Sequence, residues 1–353
     1  MANCSSRKYY VTTYVYISLQ REDRISLYEL DPDSGELTRR TEFPLPGMPA
    51  PMAVDPQRRY LFVGRRQPGD FGLTSYAISH ETGRLRELGG VPLEGDPVHI
   101  SVDRTGKYLL SAHYYQARVG VHGFGEDGAL DATPIEWRET GIGAHYVQTD
   151  PSNRYAYVPH IAEGAHTGVN AIFQFRFDQL TGKLSACDPD RVIPDAPEGP
   201  RHFCFHPNLD VLYSSNEQGC SVTAYRFDRS SGTLSPFQTV PTLPDGYSER
   251  NSCSQIQITP SGSFLYAPNR GHNSIAGFAV DASDGTLTPL GQTPTEDTPR
   301  AFSLDPTGNY LYASGLESAR LASYRVNVDT GALEPLEIYP IGQGPMWVLM
   351  VDV

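Results

Sequence analysis

Short runs of four to six β-branched or aromatic residues recur along the chain, each closed by turn residues. Tyr60-Leu-Phe-Val63, Tyr155-Ala-Tyr-Val158 and Tyr310-Leu-Tyr312 are examples. Runs of that length and composition suit short β-strands. Two polar phrases punctuate them. The first is a tight turn, seen at Asp55-Pro, Asp103-x-x-Gly106, Asp150-Pro and Asp305-Pro, with His206-Pro and Thr259-Pro in the same place in two further copies. Proline presets φ there and glycine accepts a positive φ. The second phrase is an aromatic residue or His, a short polar run, then Gly-x-Leu. It appears seven times, at Gly35, Gly83, Gly128, Gly182, Gly232, Gly285 and Gly331, with spacings of 48, 45, 54, 50, 53 and 46 residues. A period of that size built from short strands marks a β-propeller.

Each repeat reads as strand a, the Asp-Pro turn, strand b, a loop, strand c, the Gly-x-Leu turn and strand d. There are seven Gly-x-Leu turns but only six internal turns of the first kind, and the missing one falls at the chain ends. Met346-Trp-Val-Leu-Met-Val351 therefore predicts the innermost strand of a blade whose other strands lie at the N-terminus. Arg7-Lys8-Tyr9-Tyr10-Val11 reads as the start of its second strand. The expected fold is all-β: one domain over residues 1–353, a seven-bladed propeller of four-stranded antiparallel blades. Its ring is closed by pairing the N- and C-terminal strands in one blade, which leaves no open edge. An open solenoid or a pair of β-sandwiches does not explain why the incomplete repeat is divided between the ends.

The formal net charge is −13. That argues against nucleic acid and anionic membrane, which need a basic footprint. It leaves room for a small anionic substrate at a local arginine cluster. The five cysteines, Cys4, Cys187, Cys204, Cys220 and Cys253, are scattered and form no Cys-x-x-Cys pair. Neither a disulfide framework nor a zinc knuckle is indicated. The first residues hold no long apolar core, and Tyr9 to Leu19 is too short and polar to span a bilayer. A cytoplasmic protein is expected.

Antiparallel pairing puts the loop entering strand a and the loop leaving strand b on one face of the ring, at the mouth of the central channel. The entry loops bring His99, His145, Arg201, His202, Arg250, Arg300 and Gln343. The exit loops bring Arg66, His160, Glu217, Asn269 and Arg270. A single arginine in such a tight loop is more often structural, bonding carbonyls of the neighbouring blade. Several arginines with histidines and Glu217 at matching positions of different blades are harder to read that way. His206 occupies the Asp position of a turn on the opposite face and reads as structural.

Gly199-Pro-Arg-His202, Pro268-Asn-Arg-Gly271, Thr298-Pro-Arg300 and Gly342-Gln-Gly-Pro-Met-Trp347 resemble the seven-bladed lactonase family over essentially the whole chain. That family includes the bacterial propeller-type 6-phosphogluconolactonases and the fungal 3-carboxy-cis,cis-muconate lactonising enzymes. The resemblance implies a catalytic set of His145, Arg201, Glu217 and Arg270. Arg66, His99, His160, His202, Arg250, Asn269, Arg300 and Gln343 are then candidates for substrate binding. Two longer loops, Glu163–Asn170 and Gln67–Phe71, are expected to reshape the pocket.

The leading expectation is hydrolysis of a small, anionic or sugar-derived lactone. Arg201 or Arg270 would stabilise the oxyanion, and His145, titrating near neutrality, or Glu217 would take the water proton. No cofactor is called for. No metal is either, because no carboxylate or Cys has ligand spacing to His99, His145 or His160. Lactone formation from a muconate-type diacid is the alternative and uses the same side chains. A non-enzymatic binding scaffold would instead need an apolar, aromatic mouth. No glycine string of the Rossmann or P-loop kind is present.

Overall fold

The two repeated phrases meet across every blade boundary. In the computed structural model, which describes residues 11–161 and 168–353, the aromatic residues opening strand b reach the Gly-x-Leu turn of the next blade. The hydroxyl of Tyr16 donates to Gly83 O at 2.7 Å, that of Tyr157 to Gly232 O at 2.8 Å and that of Tyr312 to Gly35 O at 2.7 Å. Two residues earlier, the Tyr155 ring lies flat against Gly232, where a Cβ would stand 2.1 Å from it. Gly232 also has φ +78°, so both the turn and the close approach require glycine there. The same pairing recurs round the ring, which explains why the two phrases share one period.

Seven antiparallel sheets result. The innermost strands are Pro345–Asp352, Pro49–Val54, Pro97–Val102, Gln148–Thr149, Pro200–Phe205, Ser252–Cys253 with Gln257–Ile258, and Pro299–Leu304. Six sheets have four strands; the remaining one counts five because its inner strand is split between Cys253 and Gln257. The turns between strands a and b are held by buried carboxylates. Asp150 Oδ1 accepts from the N–H groups of Arg154 and Tyr155 at 2.8 Å each. At the equivalent turn His206 Nδ1 accepts from Asn208 N and Leu209 N at 3.0 Å each, so this His does the structural work expected of it.

Closure is as expected. Pro345–Asp352 pairs antiparallel with Thr13–Leu19, placing Ile17 opposite Val348. One detail of the register needs correction. Strand b of this blade starts at Thr13, and Tyr14 and Tyr16 take the places that Tyr310 and Tyr312 hold in the preceding blade. Arg7 to Tyr10, expected to open that strand, lie outside the described residues.

The core lies between the blades. One cluster joins Val98, Leu110 and Val119 to Val147, Val158 and Phe173 of the next blade. This wedge packing leaves the inner ends of the strands to define the channel. Among the described residues no helix is long and apolar enough to cross a membrane.

Candidate active site

Five of the seven inner strands enter the channel through a short, repeated irregularity. In Pro200–Phe205, Pro200 pairs with Asn216 and His202 with Ser215, so Arg201 is an extra residue with no opposite number. Arg300 is the extra residue between Pro299 and Ala301, Val98 that between Pro97 and His99, and Met346 that between Pro345 and Trp347. A bulge re-aims a side chain that would otherwise follow the pleat. Here it turns the residue after the entry-loop proline into the channel mouth. Ala50, Val98, Arg201, Arg300 and Met346 all line one narrow cavity there, with His145, His202, Arg66, Gln255 and Trp347.

The charges are arranged around one carboxylate. Glu217 Oε2 lies 2.6 Å from Arg201 Nε and 3.0 Å from Arg270 Nη2. Arg270 Nη2 also donates to Cys253 O at 2.7 Å. Arg66 is held by Asp96 through two parallel hydrogen bonds of 2.6 Å. Arg300 makes no hydrogen bond or ion pair with any described residue. Four guanidiniums thus face two carboxylates, and the mouth carries excess positive charge inside an acidic protein. Arg201 and His145 form the buried floor, while Arg66, Glu217, Arg270 and Arg300 are partly exposed at the rim.

This crowding shifts the titrations. Burial, reinforced by Arg270 and only partly offset by Glu217, lowers Arg201 to about 9. Arg300 is held well below its ordinary value by burial and by Arg201, Arg270 and Arg66. Burial pushes Glu217 up, but Arg201 and Arg270 outweigh it and hold the carboxyl below the usual range. Burial and then Arg201, Arg300, Arg270 and Arg66 push His145 well below its ordinary value. The expectation that His145 titrates near neutrality is therefore corrected: its imidazole is neutral there. Among the described residues its Nδ1 has no hydrogen-bond partner, nor have Arg201 Nη1, Arg270 Nε and His202 Nε2.

Behind this floor a cluster of tilted rings crosses the channel. Tyr146 packs on His99, at 3.8 Å between ring centroids, and on His202, at 4.6 Å, with Trp347 5.5 Å from His99. His99 accepts from Val147 N through Nδ1 and is pushed down to about 3, first by burial and then by Arg201. His99 and His202 are thus backing for the floor. A wider cavity of about 400 Å³ opens on the far side. Several of its polar side chains are already engaged: Gln255 Oε1 accepts from Phe302 N, Gln257 Oε1 from Leu304 N, and Gln148 Oε1 from Tyr146 Oη.

The other expected residues lie elsewhere. His160 is fully buried against Phe173, its Nδ1 bonded to Val158 O at 2.8 Å. Asn269 is buried in a network with Thr242, Asn251 and Ser274. Arg250 and Gln343 are exposed on the rim loops, with Gln343 N bonded to Glu22. Of the two longer loops, Gln67 pairs with Asp70 and simply extends a hairpin. Residues 162–167 of the other lie outside the described residues. Sequence reasoning missed Gln255, Trp347, Asp96 and Tyr114, whose hydroxyl is buried without a partner and whose pKa is raised by burial and Glu217. The Pro-x step of each entry loop was the available signal for the cavity lining.

Residues 8–350 match the family described as "lactonase, 7-bladed beta-propeller". A 6-phosphogluconolactonase of Pectobacterium carotovorum is 37% identical over 336 residues, covering 95% of this chain and 97% of that protein. One from Serratia proteamaculans is 34% identical over 334 residues, covering 95% and 97%. Among solved structures, a putative 6-phosphogluconolactonase from Bacteroides uniformis superposes with a TM-score of 0.87 at 26% identity, over 97% of this chain and 99% of that one. The periplasmic gluconolactonase of Pseudomonas aeruginosa shares the fold, with a TM-score of 0.86 at 23% identity, over 96% and 99%. With that coverage by the family and by relatives of more than 30% identity, the chain belongs to the seven-bladed β-propeller lactonase family.

Proposed function

We propose that this protein hydrolyses an anionic sugar lactone at the channel mouth, with 6-phosphogluconolactone as the first substrate to try. The observation that carries this is the set of unused donors and acceptors at one place, Arg201 Nη1 and His145 Nδ1, beside Arg300, which has no hydrogen bond or ion pair among the described residues. Arg300 and Arg66 hold the anionic group of the substrate. The ring carbonyl oxygen takes Arg201 Nη1, and charge developing on it as water attacks is stabilised by that buried donor. Neutral His145 accepts the proton of the attacking water and returns it to the ring oxygen as the C–O bond breaks. Glu217 is the anchor that orients Arg201 and Arg270 and, tied to both, is the poorer base. Binding of an anion offsets the arginine field at His145 and raises its basicity when it is needed. Relatives bearing a hydrolase name favour hydrolysis over the lactone-forming alternative.

The reaction is carried by the protein's own side chains, in a cytoplasmic setting that suits its free thiols. A screen of sugar lactones, with and without phosphate, alongside muconolactones and run in labelled water, tests this. Incorporation of one labelled oxygen into a hydroxy acid supports it; turnover of muconates without incorporation overturns it. Full activity after exhaustive chelation is expected, and loss restored by one metal ion would overturn the side-chain mechanism.

A further inference from the structure

Asn269, expected at the substrate, instead belongs to a polar network built around two cysteines. Cys220 ends the turn after Glu217 in one blade, and Cys253 lies in the inner strand of the next. Both cysteines touch Glu217 O, through Cys220 Sγ at 3.9 Å and Cys253 N at 3.2 Å, and both thiols sit in one polar network. Asn251 Nδ2 donates to Cys220 Sγ at 3.3 Å, and Thr242 Oγ1 lies 3.2 Å from Cys253 Sγ while donating to Cys220 O at 2.8 Å. Cys253 Sγ points to Asn269 Oδ1 at 3.6 Å. The pair also touches the catalytic candidates directly. Cys253 N donates to Glu217 O at 3.2 Å, and Cys253 O accepts from Arg270 Nη2 at 2.7 Å.

We propose that Cys220 and Cys253 are a peroxide-oxidisable dithiol whose closure to a disulfide across the blade boundary displaces Arg270 and Glu217 and slows turnover. Cys220 is partly exposed and Cys253 fully buried, so peroxide meets Cys220 first. Its thiolate is favoured: the hydrogen bond from Cys253 holds the Cys220 thiol below its ordinary value, against burial, and Asn251 and Arg270 add to this. By contrast burial pushes the Cys187 and Cys204 thiols up. The Cys220 thiolate attacks one peroxide oxygen; the O–O bond breaks, hydroxide leaves, and the sulfur is oxidised to sulfenic acid. The Cys253 thiol loses its proton to that hydroxide and attacks the sulfenic sulfur. The S–S bond forms, hydroxide leaves and is protonated, and two thiols plus hydrogen peroxide have become a disulfide and two waters.

An S–S bond of about 2.05 Å between two blades pulls on the Cys253 backbone, whose carbonyl holds Arg270. A displacement of about 1 Å at a catalytic group costs on the order of a hundredfold in rate.

The test treats the full-length protein with hydrogen peroxide, caps remaining thiols with N-ethylmaleimide, and maps peptides by mass spectrometry. A Cys220–Cys253 linked pair, reversed by dithiothreitol, is expected. Turnover of 6-phosphogluconolactone should fall about tenfold or more in step with it. C220S should keep the basal rate, form no link and resist peroxide, whereas C253S should stop at a Cys220 sulfenic acid trapped by dimedone. Absence of the link in the wild-type map overturns the proposal, as does a fully linked protein with an unchanged rate. Only the rate measurement rests on the lactonase reading, so failure of that reading and failure of this one give different results.

Discussion

Glu217 Oε2 stands 2.6 Å from Arg201 Nε, so one carboxylate oxygen fixes a buried guanidinium whose Nη1 has no partner among the described residues. The same oxygen holds Arg270 at 3.0 Å. A planar fork anchored at one corner presents the other at a fixed angle, which a flexible ammonium cannot do.

Arg201→Ala should therefore lower kcat by roughly a hundredfold, the scale of losing an oxyanion donor, and Arg201→Lys should not restore it. Glu217→Ala should instead cost stability, by about 3–5 kcal/mol, because it strips the buried Arg201 of its counter-charge and loosens Arg270. His206→Ala, on the far face, is the control: a lower melting temperature at an unchanged rate per folded molecule. Normal turnover in Arg201→Ala with loss in His206→Ala would place the chemistry on the wrong face.

Arg300 should act on binding. Arg300→Ala is expected to raise KM for a phosphorylated lactone about tenfold or more, with kcat less affected and neutral lactones little changed. Added salt should weaken binding in the wild type and less so in the variant. Steady-state kinetics at two ionic strengths decide this; a pure kcat defect that is independent of salt refutes the anchor.

The pH dependence of stability follows from the buried histidines. Burial lowers His99, His113 and His160 to about 3 and His122 to about 4, and holds His145 and His202 well below their ordinary value. Depressed folded values mean that the unfolded chain binds these protons first. Their contribution is complete above about pH 6.5 and is lost as the pH falls toward the folded values, at about 1.4 kcal/mol per group per pH unit. The melting temperature should fall steeply between pH 6.5 and 4, and a flat profile across that window contradicts the assignment. In the kinetics, the acid limb of kcat should lie at higher pH than that of kcat/KM, because the bound anion offsets the arginines around His145.

Ring closure rests on one strand. Deleting Met346 to Val353 removes the partner of Thr13–Leu19 and exposes that strand's inner edge. Aggregation or loss of cooperative melting is expected; a truncated protein that melts like the full chain refutes closure by that strand.

The propeller was legible in the chain because its period is written in local chemistry. Each Gly-x-Leu turn needs a positive φ, and each turn before strand b needs an acceptor for two N–H groups; both demands are met within a few residues. The blade count, the closure and the face carrying the arginines follow from that period and from antiparallel pairing. What lay beyond the sequence depends on neighbours distant in the chain. The Pro-x step marks where the bulge before Arg201 and Arg300 falls, but only pairing with the neighbouring strand turns those side chains into the mouth. His145 and His160 look alike in sequence, each at a channel-face loop. The folded ring puts one among arginines and the other against Phe173. Charge state is set the same way: burial and then four guanidiniums from four blades push His145 well below its ordinary value, and only closure of the ring brings both to bear.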